Sequence, residues 1–456
     1  MKCLEDIAWV AIDVLRIGYV EYGPEPNPRR TVTVFVSVEP ASTAWTVAYQ
    51  AVTACVEKLR ARGLWDVDVD VKESTFSHLV DGAPTSPPKL HPWPLDPSTA
   101  RSYAEHVGIS LSELLGVSIE SRQRPDYEGT KGLYLKCRRS GRVFALTCRH
   151  VVIDQSSINE YRFSGAEPRI EVIQPPEGTF TDHQTFLRGV QARPDDTLWA
   201  RIESKLDALT DIGDRVVGSV ASSPALDIAT TPSGRKWLRD WALIELDPAR
   251  HTTALVNLQS RVFLGLDRAV TIQDRMSRET APRDLPLRQY LVAEEDGGAT
   301  ARIVGVCPEK ELQRPSVDYV SAGAPAHFVV MCGQQSGLRT GMVNEVRSVL
   351  RNPLPWVSAE SHEMCIIGTK FRGPGRDFFS ADGDSGACIW DLRSRACGLL
   401  VGGLEGQTPS TDVSYATPME RLLEDIKSFG FDANWTGAAA STSTGPLQER
   451  AVRDKP

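Results

Sequence analysis

Val67, Val69 and Val71 alternate with Asp66, Asp68 and Asp70, the period-two pattern of a strand with one wet face. Upstream, Thr31-Val32-Thr33-Val34-Phe35-Val36-Ser37-Val38 is a β-branched run that predicts another strand. Between them, Trp45, Ala48, Tyr49, Val52, Val56 and Leu59 recur at helical spacing. This helix opens near Ser42 or Thr43 and stops at Gly63. Residues 9–21 are apolar enough for a buried element, but their period fits a strand and a short helix equally well. Together these elements predict a small α/β domain over residues 1–77.

Six prolines then fall between Pro84 and Pro97. Each lacks an N–H and has a fixed φ, so residues 78–107 read as a semi-stiff linker or a wrapping arm. Short helices are expected at 98–106 and 110–115. Beyond Gly116 the pattern changes to short strands separated by turns, which predicts a β-sandwich or barrel. Gly132 to Cys137 and Val143 to Cys148 form a hairpin around Ser140-Gly141. Leu198, Trp199, Ile202, Lys205, Leu206 and Leu209 trace a helix inside an apparent insertion. The body is placed at 108–435 and, on its linker composition, is expected to fold and keep its chemistry without the first eighty residues. Small, polar and charged residues make 436–456 a disordered tail.

Composition narrows the function classes. The 456 residues carry a net charge of −8, from 51 basic and 59 acidic side chains, with no basic cluster. Nucleic acid and anionic membrane are therefore poor partners. No apolar run reaches the length needed to cross a bilayer, and the opening residues lack the apolar core of a signal peptide. The nine cysteines are odd in number and lack CxxC spacing, so neither a disulfide scaffold nor a metal site is expected. Free thiols point to a reducing, intracellular and cytoplasmic setting, and no cofactor is expected.

Chemistry concentrates in three stretches. Asp382-Gly383-Asp384-Ser385-Gly386 forms a tight turn that can hold the Ser385 hydroxyl forward. The same turn can aim the N–H groups of Gly383 and Ser385 at one point, as an oxyanion hole requires. His150 ends the apolar run Leu146-Thr147-Cys148-Arg149, and Asp240 heads Trp241-Ala242-Leu243-Ile244-Glu245-Leu246. Singly, a strand-end histidine and a pre-strand aspartate are ordinary. In the order His, Asp, Ser they become specific.

These stretches resemble the chymotrypsin/trypsin-like serine proteases. Thr147-Cys148-Arg149-His150 is similar to that family's Thr-Ala-Ala-His, and Asp240-Trp241-Ala242-Leu243-Ile244-Glu245-Leu246 to its Asp-Ile-Ala-Leu-Leu-x-Leu. Gly383-Asp384-Ser385-Gly386 is identical to its nucleophile turn. Gly398 to Gly403 resembles its pocket-edge strand, and Tyr415-Ala416-Thr417-Pro418 with the helix after Met419 its closing elements. The resemblance implies a mainly β fold of two antiparallel six-stranded β-barrels beside the α/β domain. It also implies His150, Asp240 and Ser385 as a triad, with Phe379, Ser380, Val401, Gly402 and Gly403 around a substrate pocket. A histidine base activates the serine, and the acid fixes its tautomer. The implied activity is serine endopeptidase cleavage of a protein or peptide substrate.

The departures carry their own implications. Val151 and Ala381 replace disulfide cysteines, as an intracellular version would. No Ile-Val-Gly-Gly activation terminus is visible, so Asp384 must be satisfied in another way. Val401 stands where many relatives place a serine that bonds the acid. Long spacings imply insertions at 158–211 and 267–300. No acid lies at Phe379 or Ser380, so the pocket is expected to accept small or medium apolar side chains. A second reading is an inactive protease-fold scaffold, with the N-terminal domain binding a partner protein.

Overall fold

The computed structural model describes residues 2–17, 31–78, 100–125, 127–154, 159–166, 168–189, 197–231, 234–265, 291–293, 299–315, 320–321, 324–325, 327–354, 359–369, 377–405 and 411–435. The expected loop at 23–28, most of the Pro-rich segment and of the 267–300 insertion, and the tail at 436–456 lie outside them. Among the described residues no helix is long and apolar enough to cross a membrane.

The N-terminal domain contains β1 (Trp9–Ile17), β2 (Thr31–Val38), α1 (Trp45–Arg60), β3 (Val67–Glu73) and the short β4 (Thr75–Ser77). The ambiguous first element is thus a strand, antiparallel to β2, while β2 runs parallel to β3. The helix seats Ala48 and Ala51, with Val47 and Cys55, rather than the full predicted face. Trp45 and Tyr49 point outward, 79% and 62% exposed. Small side chains face the sheet and the large aromatics are left outside.

Next comes α2 (Ala100–Ser110), one helix that runs past the predicted stop at 106, while 111–115 is turn. The first barrel follows, with β5 (Ser118–Ser121), β6 (Gly129–Thr130), β7 (Leu133–Cys137), β8 (Val143–Thr147) and β9 (Glu171–Ile173). Helices α3 (Glu177–Gly189) and α4 (Thr197–Ala208) intervene before β10 (Val216–Ser223) and β11 (Ala242–Leu246). The ladder order is β7-β8-β11-β10-β9-β5-β6, with the short strand Ala433–Trp435 paired on the outer edge of β7. Because β6 leads through Lys131-Gly132 directly into β7, the sheet bends back toward its start as a half-barrel. Backbone bonds from Gly116 N to Lys131 O (2.9 Å) and from Lys131 N to Val117 O (3.0 Å) hold that bend. The expected insertion at 158–211 therefore contributes a barrel strand, β9. Its helices form a separate cluster in which Phe180, Phe186, Trp199, Ile202 and Leu206 pack on Ala104 and Val107.

The second barrel is built from β12 (His327–Gly333), β13 (Gly337–Val343), β14 (Ser348–Arg351), β15 (Glu360–Thr369), β16 (Cys388–Asp391), β17 (Ala396–Glu405) and β18 (Thr411–Pro418), closed by α5 (Met419–Ser428). Six of these strands form a ring, β13-β12-β16-β17-β18-β15, which the β13–β15 pairing completes. The fold is mainly β with two antiparallel barrel units, as the sequence predicts.

The N-terminal domain is attached to this ring by hydrogen bonds. Strand β14 pairs β15 on one side and β1 on the other, with Ala11 opposite Leu350. In that seam Asp13 is fully buried and accepts hydrogen bonds from the Ser348 hydroxyl and from the Tyr415 hydroxyl at 3.0 Å. These are the contacts that a chain lacking the first eighty residues would lose.

Burial raises the pKa of Asp13, against the lowering effect of the Ser348 and Tyr415 hydrogen bonds. A carboxyl with a raised folded-state pKa contributes stability at low pH and loses it as pH rises through that pKa. Asp13→Asn keeps the shape and cannot ionise, so wild type should lose stability relative to the variant as pH climbs above the ordinary carboxylate range. Thermal melts of both proteins from pH 4 to 8 check this, and parallel curves would contradict it.

Candidate active site

The His150 segment is set by strand register. Strand β8 pairs β11 with Thr147 opposite Ala242, which brings the residues just after β8 alongside those just before β11. Cys148 is extended, and Arg149–Val152 then make one helical turn. Buried Arg149 fixes that turn through the Ser223 hydroxyl (3.0 Å) and the carbonyls of Pro224 and Asn159 (both 2.8 Å). Arg124 binds the carbonyls of His150 and Ile153 at its other end. Asp240, 1% exposed, accepts the His150 backbone N–H at 3.1 Å and the ring Nδ1–H. Burial raises the Asp240 pKa, but the charge and hydrogen bonds of His150, with His78 beyond, bring it below the ordinary value. The carboxylate therefore stays charged near neutrality and fixes the tautomer that leaves Nε2 a base.

Local geometry also forms the serine turn. Gly383 and Gly386 have φ of +92° and +91°, in the left-handed region. A Cβ on Gly386 would lie 2.3 Å from Thr147 Oγ1 and 2.4 Å from Thr130 O. Asp384 is fully buried and accepts N–H bonds from Gln335 (2.9 Å), Ser336 (3.1 Å) and Ala381 (2.9 Å). These donors lower the cost of the buried carboxyl, although burial still raises its pKa. The first barrel grips the turn directly, Thr130 N donating to Ser385 O at 2.8 Å and Thr130 Oγ1 to Gly383 O at 3.0 Å. Among the described residues, neither the Gly383 nor the Ser385 N–H donates to another backbone group.

His150 is thus joined to Asp240, the Ser385 hydroxyl to the Val401 carbonyl, and the serine turn with Gly383 to Thr130 of the first barrel. Phe379 lies in the interior of the second barrel, where Gly341 approaches its ring, and Ser380 Oγ pairs with Ser414 Oγ at 2.6 Å. Both are closed to solvent.

One element here was missed in the sequence. Strand β4 pairs antiparallel with β17, Ser77 opposite Gly403 and Phe76 opposite Leu404. The next residue, His78, lays its ring against His150, with centroids 4.8 Å apart, and its Nδ1 is 3.8 Å from Asp240 Oδ2. Burial first, then the neighbouring His150, lowers the His78 pKa to about 4, so its ring is neutral at pH 7. Under this cover Ser385 is fully buried, and its hydroxyl faces the Val401 carbonyl at 3.5 Å. His150 Nε2 has no hydrogen-bond partner among the described residues. His78 carries no spacing signal; it falls where the Pro-rich segment was taken to begin.

Two groups of donors converge among the described residues: His78, His150 and Asp240 here, and Cys307, His327, Asp391 and Cys397 elsewhere. In the first, the facing atoms of His150 and Asp240 already share a hydrogen bond, so a proton takes the place of a cation.

The two barrel units, with a histidine and aspartate from the first meeting a serine turn from the second, define a chymotrypsin-like serine protease fold. No family model and no curated protein matches the chain. Among solved structures it is similar to a chymotrypsin from Cellulomonas bogoriensis, at 11% identity and TM-score 0.30, over 69% of this chain and 96% of that one. It is also similar to a Nocardiopsis protease, at 11% identity and TM-score 0.33, over 71% and 98% of the two chains. Likenesses this distant have no weight in assigning an activity, and the fold assignment rests on strand order and side-chain placement.

Gly386→Ala would force a methyl into the Thr130 carbonyl at a left-handed backbone angle. It should cost at least about 2 kcal/mol, measured by chemical denaturation, and an unchanged midpoint would show that the turn is not clamped this way.

Proposed function

We propose that the chain is a serine endopeptidase that cleaves peptide bonds through His150, Asp240 and Ser385. The observation that supports this best is the buried His150–Asp240 pair beside a serine turn whose Gly383 and Ser385 N–H groups are unclaimed by other backbone groups. For attack, the Ser385 hydroxyl turns from the Val401 carbonyl toward His150 Nε2. The base takes the proton as Oγ bonds to the scissile carbonyl carbon, and Asp240 stabilises the imidazolium without itself taking the proton. The two N–H groups bind the oxyanion, each contributing about 3 kcal/mol in comparable sites. Collapse expels the amine, which leaves with the proton from His150, and water then releases the acyl group by the reverse sequence.

The specificity reading, cleavage after small or medium apolar residues, keeps only the absence of an acid at Phe379 and Ser380 as support, since both side chains are buried in the second barrel and Ser77 and Phe76 cover Gly402. An intracellular setting is supported by the absence of any disulfide among the described cysteines. The outward Trp45 and Tyr49 would suit the N-terminal domain to a protein partner. A second reading, a protease-fold scaffold that does not cleave, is favoured by one observation: Ser385 is closed off and unbonded to His150.

A fluorophosphonate probe separates the two. Wild type, or a variant with 75–78 replaced by glycines, should be labelled at Ser385, and Ser385→Ala should not. A folded chain that is never labelled in either form would leave the scaffold reading.

A further inference from the structure

We propose that Cys307, His327, Asp391 and Cys397 form a structural zinc site. Cys307 lies just before the helical turn Glu309–Gln313, His327 opens β12, Asp391 ends β16, and Cys397 is near the start of β17. At Cys397 the pairing with β16 slips, so Ile389 faces Gly398 while Trp390 faces Ala396. The bulge re-aims the thiol toward the other three side chains. His327 Nε2 is 3.7 Å from Cys307 Sγ, 3.8 Å from Cys397 Sγ and 3.7 Å from Asp391 Oδ2. All four donor atoms fall within 4.8 Å of one another, and the side chains are 0–4% exposed.

The nitrogen–oxygen separation is too long for a hydrogen bond. Such distances do match the edges of a tetrahedron around zinc, about 3.3–3.8 Å for bonds of 2.0–2.3 Å. Two thiolates, an imidazole and a carboxylate suit zinc better than magnesium or calcium. An outer layer is also in place. Arg395 donates to Asp391 Oδ2 at 2.8 Å, and the backbone N–H groups of Arg393 and Arg395 donate to Oδ1, both at 2.9 Å. Three ligand charges against a divalent ion leave one negative charge, which faces Arg395, a guanidinium also paired with Glu311 at 2.8 Å. Four protein ligands make a closed, structural site. It would tie the loop before Glu309 to three strand ends, well away from Ser385, since Asp391 closes a strand that begins just after the serine turn.

The full chain, grown with zinc and washed with a weak chelator, should hold roughly one zinc per chain by elemental analysis. Cobalt added to the metal-stripped, reduced chain should give a thiolate-to-cobalt absorption band that Asp391→Asn weakens and Cys397→Ser abolishes. If the cysteine variant fails to fold, the wild-type titration still decides. Zinc below roughly a tenth of an equivalent with no cobalt band would overturn the site. So would a mass 2 Da lower from a Cys307–Cys397 disulfide, which a bond length of about 2.05 Å would require.

A separate observation carries a second inference, which rests on the protease reading. We infer that residues 75–78 occupy the β17 edge where a substrate strand would bind, so that the enzyme is held latent by its own chain. An extended peptide adds to a strand edge through alternating main-chain bonds, and Ser77 and Phe76 already pair with Gly403 and Leu404. The Ser77 carbonyl and Phe76 ring lie 2.7 and 2.8 Å from where a Gly402 side chain would begin. His78 covers the base.

Phe76→Asp should free the edge and speed fluorophosphonate labelling roughly tenfold or more over wild type, and equal rates would overturn the inference. Hydrogen exchange at 403–405 reads the same contact without activity. The amides there that point to β4 rather than to β18 should be protected in wild type and exposed in the variant, and their lack of protection in wild type would overturn the inference even if the protein never labels.

Discussion

A carboxylate buried without partners is far too costly to persist, and the site is arranged around avoiding that cost at Asp240. Both of its hydrogen-bonded contacts come from one residue, the backbone N–H and ring of His150. Satisfying the charge therefore also fixes the histidine's backbone and its tautomer. The β8–β11 register makes this possible, and buried Arg149 with Arg124 holds the turn against displacement. Asp384 meets the same constraint differently. Its three backbone donors shape the serine turn, and burial still raises its pKa. Each buried acid thus holds in place a reactive neighbour.

The three residue stretches were visible in sequence because each is a short local run, whereas His150 lies 90 positions from Asp240, and Gln335 and Ser336 lie 49 and 48 from Asp384. A histidine ending one apolar strand, an aspartate opening another and Gly-Asp-Ser-Gly before a third are short signatures, and strand pairing needs only to bring their ends together. The hairpin of β7 and β8 and the final helix were legible for the same reason. What depended on distant pairing was not. The face of α1 differs from the predicted one because hydrophobic spacing cannot say which side of an apolar stripe meets the sheet: Ala48 and Ala51 are buried while Trp45 and Tyr49 are exposed. Strand β9 looked like part of an insertion, being only three residues long. Cys307 and Cys397 are ninety positions apart in a chain searched for local CxxC spacing, and only the barrel brings them together with His327 and Asp391.

Strand β17 serves two purposes along one length. Near its start, Cys397 lies among the buried donors; toward its end, Gly402 and Gly403 form the edge that faces Ser385. Between them Leu399, Leu400 and Val401 are fully buried, so the strand is held firmly over that span.

The placement of β4 follows from the N-terminal domain's own attachment. Only Ser74 separates β3 from β4, and its N–H is bonded to the Val38 carbonyl at 2.9 Å, so β4 cannot wander from that sheet. The sheet is in turn fixed to the second barrel by the β1–β14 pairing and by Asp13 between Ser348 and Tyr415. Tyr415 belongs to β18, which pairs β17 at Gly402. The seam that docks the domain and the edge that β4 covers are therefore neighbours across two strands. Loosening the seam would remove the constraint that keeps β4 on its edge, whereas a partner bound at the outward face of α1 would leave both pairings intact. On the latency inference, release of β4 would therefore begin at the Asp13 seam rather than at the exposed aromatic face.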